Sequence, residues 1–416
     1  MVLRLRKSLY ALKQSSHVCY GTFKELVIWI GFVASRVDGG LFVLEDHSRV
    51  VAAVVLYIDD LLIIANEGVI GQIKDQMKKR FRMQDHGSVS FYLGMNIKRN
   101  REHHTIDIHQ HSCIRTILGK FRMDDSRPVA MPMVLKLHKR TPDEEACDPS
   151  IYQSMIASLR YAMSATRPDI TYAIGVLRQY NHDPHNERMV AHKRLFWYLS
   201  GTKDWRLRFG GEGELRSYVD SDYAGCPDDY ESTCGLVITF GGAVDRGSRK
   251  EKSTAQSTTN AEYYAVGIGC MRLTQISHLL NELGIPTITH VFSDSQSLIG
   301  TINNRIYLGT AVAHIATKYY LAADMARDGD IDLSYVPTAE MLADCFTQPL
   351  PKPAVMQQGA AMGMIGIGLG NGLGNDLGIG MRNGFGKGLA TRGNGCGNRI
   401  GEGLGNRIGI AVGKQN

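Results

Sequence analysis

Apolar positions in the first hundred residues are spaced as in strands. Gly31 to Tyr57 and Leu61 to Ala65 are rich in β-branched and aliphatic residues and read as strands, with Asp59 and Asp60 at the turn between them. The spacing then becomes helical over Glu67 to Arg82. Phe91 to Lys98 and Thr105 to His109 predict a strand pair, followed by a helix from Ser112 to Phe121 and a polar loop, "KRTPDEEACDPS". Helices are expected over Ser150 to Ala165, Pro168 to Tyr180 and Asn186 to Leu199, with Gly201 as a C-terminal cap. From Leu215 strands alternate with helices: "LRSYVDSDYAG", "CGLVITFGGAVDRG", a long helix over Asn260 to Leu283, "THVFSDSQSLIGTI", "DLSYVP" and a short helix over Ala339 to Phe346. The pattern predicts an α/β (α+β) multidomain chain divided at 1–98, 99–150, 151–208, 209–350 and 351–416, the fourth segment holding a mixed sheet with helices.

Composition changes this picture most at the end. About twenty of the 45 glycines fall in the last 58 residues, a bias that cannot build a core, so 351–416 reads as a disordered, Gly-rich flexible tail. The other 350 residues are enough for two or three cores. No apolar run reaches ~20 residues and no signal-like segment follows Met1, which predicts an intracellular protein without membrane spans. Eight cysteines without a C-x-x-C pair read as reduced thiols. The net charge of +6 is modest, but short basic blocks recur at Lys74–Met83, Lys98–Arg101, His192–Arg194 and Arg246–Lys252, as a polyanion track requires.

Three groups of residues are candidates for chemistry. The Asp59–Asp60 pair is either a set of turn residues or part of a divalent-metal site. Asp220, Glu262, Asp294 and Asp344 fall on a strand, a helix start, a strand end and a short helix, where an α/β sheet builds its sites. Taken alone they are structural acids or ligands for two divalent ions, which need several hard oxygens. "DIHQHSC" sets Asp107, His109, His111 and Cys113 at alternate positions, with ligand types that zinc accepts. Same-face strand neighbours are ~6.6 Å apart, however, too far for three in a row to reach one ion.

The ordered series "YVDSDYAG", "TTNAEYYAV", "VFSDSQSLI" and "EMLADCF" resembles the ribonuclease H domain of copia-type LTR retrotransposons, and "YIDDLL" resembles the hairpin of their reverse transcriptase. "LRKSLYALKQSSHVCY", "FRMQDHGSVSFYLGMNI", "YQSMIASLRYAMSATRPDITYAIGVL" and "AHKRLFWYLSGTKDWRLRF" resemble the pieces between and ahead of them, collinearly over about residues 3 to 353. The resemblance implies a partial reverse transcriptase palm in 1–98, a thumb-like segment in 99–150, a helical connection in 151–208 and a ribonuclease H-like domain in 209–350. Asp220, Glu262, Asp294 and Asp344 would hold two Mg²⁺ ions, with Mn²⁺ able to substitute, and would cleave RNA in an RNA–DNA hybrid. Asp59 and Asp60 would be vestigial ligands of the polymerase site, whose further aspartate is expected on a strand ahead of "LKQ", before this sequence begins. Asp38 fits an ordinary family position, and Asp222 and Asp228 read as surface or loop acids. Lys7, Lys13, Gln14, Arg249 and Lys250 would contact nucleic acid, with Arg6 a further phosphate contact. Tyr319 stands where the family usually has a histidine, which leaves proton transfer to the leaving group unassigned. The alternative is a catalytically inactive nucleic-acid-binding remnant; the oligomeric state is left open.

Overall fold

The computed structural model describes residues 14–133, 137, 141, 143–211, 213–251, 257–303, 316–366 and 408–415, with the backbone alone for 303, 316–320 and 408–415. These residues form two compact units. One holds 14–93, 275–287 and 408–415; the other holds 94–274 and 288–366.

The first unit begins with α1 (Ser15–Ile30), β1 (Val33–Ala34), β2 (Leu41–Asp46), β3 (Arg49–Tyr57), β4 (Asp60–Asn66), α2 (Glu67–Arg80), β5 (Met83–Ser88) and β6 (Phe91–Tyr92). The run from Gly31 to Tyr57, expected as strand throughout, is interrupted at its polar steps. His47 and Ser48 both take positive φ, 50° and 62°, in a two-residue hairpin turn between β2 and β3. Helix α1, not assigned from the sequence, buries Phe23, Leu26 and Val27 at the i, i+3, i+4 spacing of one helix face. Gly31 ends it with φ 112°, a left-handed cap. Phe42, Ala52, Val54, Leu61, Ile63 and Ala65 pack one face of the sheet against α1 and against Ile73 and Met77 of α2. The alternate residues Leu41, Val43 and Ala53 meet Leu279 and Leu283 on the other face.

The second unit follows with β7 (Met95–Asn100), β8 (Thr105–His109), α3 (His111–Lys120), α4 (Pro149–Ala165), α5 (Thr171–Leu177), α6 (Asn186–Gly201), β9 (Arg206–Phe209), β10 (Leu215–Asp222), β11 (Thr233–Thr239) and β12 (Ala243–Lys250). It continues through α7 (Thr258–Glu282, its last turns counted in the first unit), β13 (Thr289–Ser293), α8 (Gln296–Asn303), α9 (Ala316–Asp328), β14 (Asp332–Tyr335), α10 (Asp344–Thr347), α11 (Lys352–Ala361) and β15 (Met364–Ile365). Its main sheet has the order β12-β11-β10-β13-β14, antiparallel from β12 to β10 and parallel from β10 to β14. A second sheet pairs β7, β8, β9 and β15 in turn.

Helices α3 to α6 enclose a core of Ile114, Leu118, Tyr152, Leu159, Ile174, Leu195 and Phe196. Asp148 caps α4 by accepting the Ser150 amide at 2.8 Å, with Pro149 at the first helical position. Gly201, expected as a cap, is instead the last helical residue, and a Cβ there would lie 2.8 Å from Cβ of Pro128. Between α4 and α5, Arg167 is fully buried and grips both carboxylate oxygens of Asp169, at 3.0 and 2.6 Å. It also donates to the Thr202 carbonyl at 2.9 Å, while Tyr198 donates to Asp169 at 2.7 Å. "ATRPDI", read as a helix stop and restart, is therefore also a satisfied buried ion pair.

His192 lies in the same core against Tyr152 and Phe196, and neither ring nitrogen has a hydrogen-bond partner. Burial holds its pKa down at about 3. A depressed histidine contributes stability above its unfolded value of ~6.5 and loses it as pH falls toward the folded value, at up to about 1.4 kcal/mol per pH unit. Calorimetry from pH 7 to pH 4 is expected to show that slope, and His192→Met to flatten it.

The segment 351–366, expected as the start of a flexible tail, is folded instead. Helix α11 and strand β15 lie within it; Met364 pairs with Leu207, and Met362 and Met364 are buried with Val237 and Phe346. Val355, Met362 and Met364 are the buried apolar side chains of this segment. Residues 367–407 lie outside the described residues, and the chain returns to the first unit as β16 (Ile408–Gln415). No described helix is long and apolar enough to cross a membrane. The seven described cysteines are free thiols.

Candidate metal centre

Strand pairing brings two of the acids together. Parallel β10 and β13 run in register from Leu215 opposite Thr289 to Tyr218 opposite Phe292. Two residues further along, that register sets Asp294 level with Asp220, at a strand spacing of ~4.8 Å. Glu262 comes from the second turn of α7, which lies so close to β10 that a Cβ on Gly269 would meet Val219 Cγ1 at 2.4 Å. One ligand atom each from Asp220, Glu262 and Asp294 fall within 4.8 Å of one another.

Asp344 is brought in by a missing side chain. Gly235 of β11 is the cross-strand partner of Asp220, and a Cβ there would lie 2.6 Å from Thr347 Cγ2 and 2.8 Å from the Ala343 carbonyl. The first residue of α10, Asp344, is thus near enough to interact electrostatically with Asp220, Glu262 and Asp294, although it is not one of the three acids whose ligand atoms converge; Thr347, one turn on, donates its hydroxyl to Asp220 Oδ2 at 2.5 Å. Thr338 donates likewise to Asp294 Oδ2 at 2.7 Å. Gly235, Thr338 and Thr347 were not singled out from the sequence. The i, i+3 spacing of Asp344 and Thr347 on a short helix was the available signal.

The acids repel one another in a dry setting. Burial first, then Asp220, Asp294 and Asp344, push Glu262 up to about 9. Burial and the charges of Asp220 and Asp294 raise Asp344 to about 7. Asp220 rises to about 6, again mainly by burial, with the Thr347 hydrogen bond opposing the shift. Oε2 of Glu262 is buried and accepts no hydrogen bond. Buried carboxylates are normally paired or bound to metal. An all-oxygen set with an orphaned oxygen and no lysine or arginine among the causes of these shifts suits a hard divalent cation.

The remaining candidates lie elsewhere. Asp59 and Asp60 stand at the β3–β4 turn, with Tyr57 opposite Asp60 and Ile58 at φ 55°. Among the described residues they join no group of three potential ligands. Asp38 accepts the Gly40 amide at 2.8 Å in its own turn. Asp228 accepts from Tyr180 at 2.6 Å and faces the buried Arg188, so it holds a loop in place. Asp222 packs against Gly225. Arg249 is exposed on β12, whereas Lys250 is paired with Asp229 and Glu231. Gln14 precedes α1; Arg6, Lys7 and Lys13 lie outside the described residues. Tyr319 falls on α9, its side chain outside the description. The alternation in "DIHQHSC" does not persist, because β8 ends at His109 and α3 begins at His111. Asp107 pairs with Arg208 at 2.7 Å and His111 with Asp204 at 2.6 Å.

Residues 1–135 match the reverse transcriptase (RNA-dependent DNA polymerase) family, and most of the chain is similar to Pol polyproteins of copia-type retrotransposons. It is 33% identical over 88% of its length to the retrovirus-related Pol polyprotein from transposon RE2 of Arabidopsis thaliana, covering 25% of that protein. It is 33% identical over 85% of its length to that from transposon TNT 1-94 of Nicotiana tabacum, covering 27% of it. The chain thus spans about a quarter of the length of these relatives. Among solved structures it is similar to the N-terminal RNase H domain of rv2228c from Mycobacterium tuberculosis, at 16% identity and a TM-score of 0.25. That match covers 36% of this chain and 98% of the other.

Proposed function

We propose that residues 209–350 are a Mg²⁺-dependent ribonuclease H that hydrolyses the RNA strand of an RNA–DNA hybrid. The observation that carries this reading is the convergence of Asp220, Glu262 and Asp294 within 4.8 Å, with Asp344 electrostatically coupled to them and one Glu262 oxygen left without a partner. These four residues would hold two ions, and Mn²⁺ would serve in their place. Bound ions supply an activated water and neutralise charge on the leaving 3′ oxygen. Thr347 and Thr338 fix the carboxylate planes of Asp220 and Asp294 by hydrogen bonds from the protein side. Arg249, exposed on β12, would meet the phosphate backbone, and Lys250 would do so only by exchanging its acidic partners. Backbone and 2′-hydroxyl contacts make cleavage largely independent of sequence. The test is cleavage of a labelled hybrid by the purified chain with Mg²⁺ and with EDTA. Metal-independent cleavage, or none with either ion, would refute the reading.

The palm-like segment, 1–98 in this division, is proposed to be inactive as a polymerase. Asp59 and Asp60 gain no third carboxylate among the described residues, and two ions against a triphosphate need more ligands than one hairpin offers. Extension of a DNA primer on an RNA template is expected to be undetectable with Mg²⁺ or Mn²⁺ and all four nucleotides. Extension that disappears in Asp59→Ala would show the site to be complete.

A further inference from the structure

Strand β16 has the most unexpected place in the chain. The first unit's sheet has the order β1-β2-β3-β4-β16-β5, so the last strand in sequence lies between two strands that α2 alone separates in the chain. Its backbone pairs antiparallel with β4 from Ile408 opposite Asn66 to Lys414 opposite Asp60. It pairs antiparallel with β5 from Ala411 opposite Ser88 to Gln415 opposite Met83. An empty slot there would expose two facing rows of unpaired N–H and C=O groups.

Register defines what the slot accepts. Gly409, Ala411 and Gly413 stand opposite Ala65, Ile63 and Leu61, the β4 residues buried under α1 and α2. Ile408, Ile410 and Val412 stand opposite Asn66, Ile64 and Leu62. Directly opposed residues share a face, so Gly409, Ala411 and Gly413 stand on the helix-covered face and Ile408, Ile410 and Val412 on the other, ahead of the polar end Lys414–Gln415. A slip of one residue would exchange them. The tail contains "GNRIG" twice, at 397–401 and 405–409. The first copy continues with Glu402, the second with Ile410, Ala411 and Val412.

We infer that the slot between β4 and β5 is a peptide-binding site and that residues 408–415 are its ligand, a separable strand held by backbone pairing and by small-residue register. The glycine-rich stretch 367–407 joins this strand to the second unit, and such a tether sets an effective concentration without adding contacts. A free peptide of the same sequence therefore competes for the slot.

The test uses the full chain with Ile410→Pro and Val412→Pro together, which removes two ladder donors from β16. Hydrogen exchange at the amides of β4 and β5 should accelerate at least tenfold, with β2–β3 amides unchanged, and a synthetic peptide of residues 406–416 should restore protection. The same peptide with Gly409→Leu and Gly413→Leu should not restore it. Unchanged protection in the proline variant would show that the strand does not fill the slot. Loss across β2 and β3 that the peptide fails to reverse would show an integral strand, not a ligand. Equal rescue by the leucine peptide would overturn the register argument.

Discussion

Asp294→Asn is expected to lower Mg²⁺-dependent hybrid cleavage about a thousandfold or more, while hybrid affinity stays within about threefold. The asparagine keeps the shape of the side chain and an acceptor for Thr338, but not the charge that faces Asp220 and Glu262. On the proposed function, hybrid affinity would rest on many backbone contacts, few of which this residue would supply. Single-turnover cleavage and equilibrium binding, measured on the same preparation, separate the two effects. Cleavage at the wild-type rate would place the chemistry elsewhere, and parallel loss of binding and cleavage would point to a folding defect.

Glu262→Gln should also abolish cleavage, yet it should stabilise the metal-free protein. Glu262, Asp344 and Asp220 titrate near 9, 7 and 6, all above the ~4 of an unfolded carboxyl group. The folded state therefore holds extra protons between these values and pH ~4. The resulting stability is complete at pH 4 and is lost as pH rises through 6 to 9. With EDTA present, Tm should fall from pH 5 to pH 8, and Mg²⁺ should raise it more at pH 8 than at pH 5. The glutamine is neutral without having to take up a proton, so it avoids the cost of protonating Glu262 at pH 8, and it offers an amide donor to its neighbours. A gain on the order of 2 kcal/mol at pH 8 in EDTA, with a smaller Mg²⁺ increment, is expected. Calorimetry that showed Glu262→Gln less stable at pH 8 in EDTA would mean that the carboxylate has a cationic partner.

Much of this architecture was legible because the β-rich runs and long helices are strongly periodic. Asp220, Glu262, Asp294 and Asp344 could be placed on element ends before any contact between them was known. The convergence of Asp220, Glu262 and Asp294 was not legible from spacing, since it depends on the parallel register of β10 and β13 and on the close approach of α7 to β10, and the proximity of Asp344 depends on the packing of α10 against Gly235. Gly235 illustrates the difficulty: within "CGLVITFGG" it reads as a weak strand residue, and its function appears only once Thr347 lies against it. Strand β5 was missed because "MQDHGS" is almost wholly exposed and has no apolar alternation. The zinc-type reading of "DIHQHSC", already disfavoured by its same-face spacing, is disfavoured further because a strand gives way to a helix after His109, which sends Asp107 and His111 to different partners. Glycine content concealed β16, whose alternation of small and aliphatic residues makes sense only against its β4 neighbour.

The parallel pairing of β10 with β13 also governs how the site comes into being. Parallel neighbours cannot be joined by a tight turn, so the chain must close a long crossover before those hydrogen bonds form. Topology of this kind has a high contact order and folds slowly. The four carboxylates span positions 220 to 344, so no short segment can assemble the cluster by itself. During synthesis the strands carrying Asp220 and Asp294 emerge well before Asp344. A nascent chain arrested between them would bury Asp220 beside Asp294 without the complete ligand set. A premature stop between codons 294 and 344 would leave such a chain as the final product, so the position of the last acid makes cation-dependent stabilisation a sensitive readout of a stop in that interval.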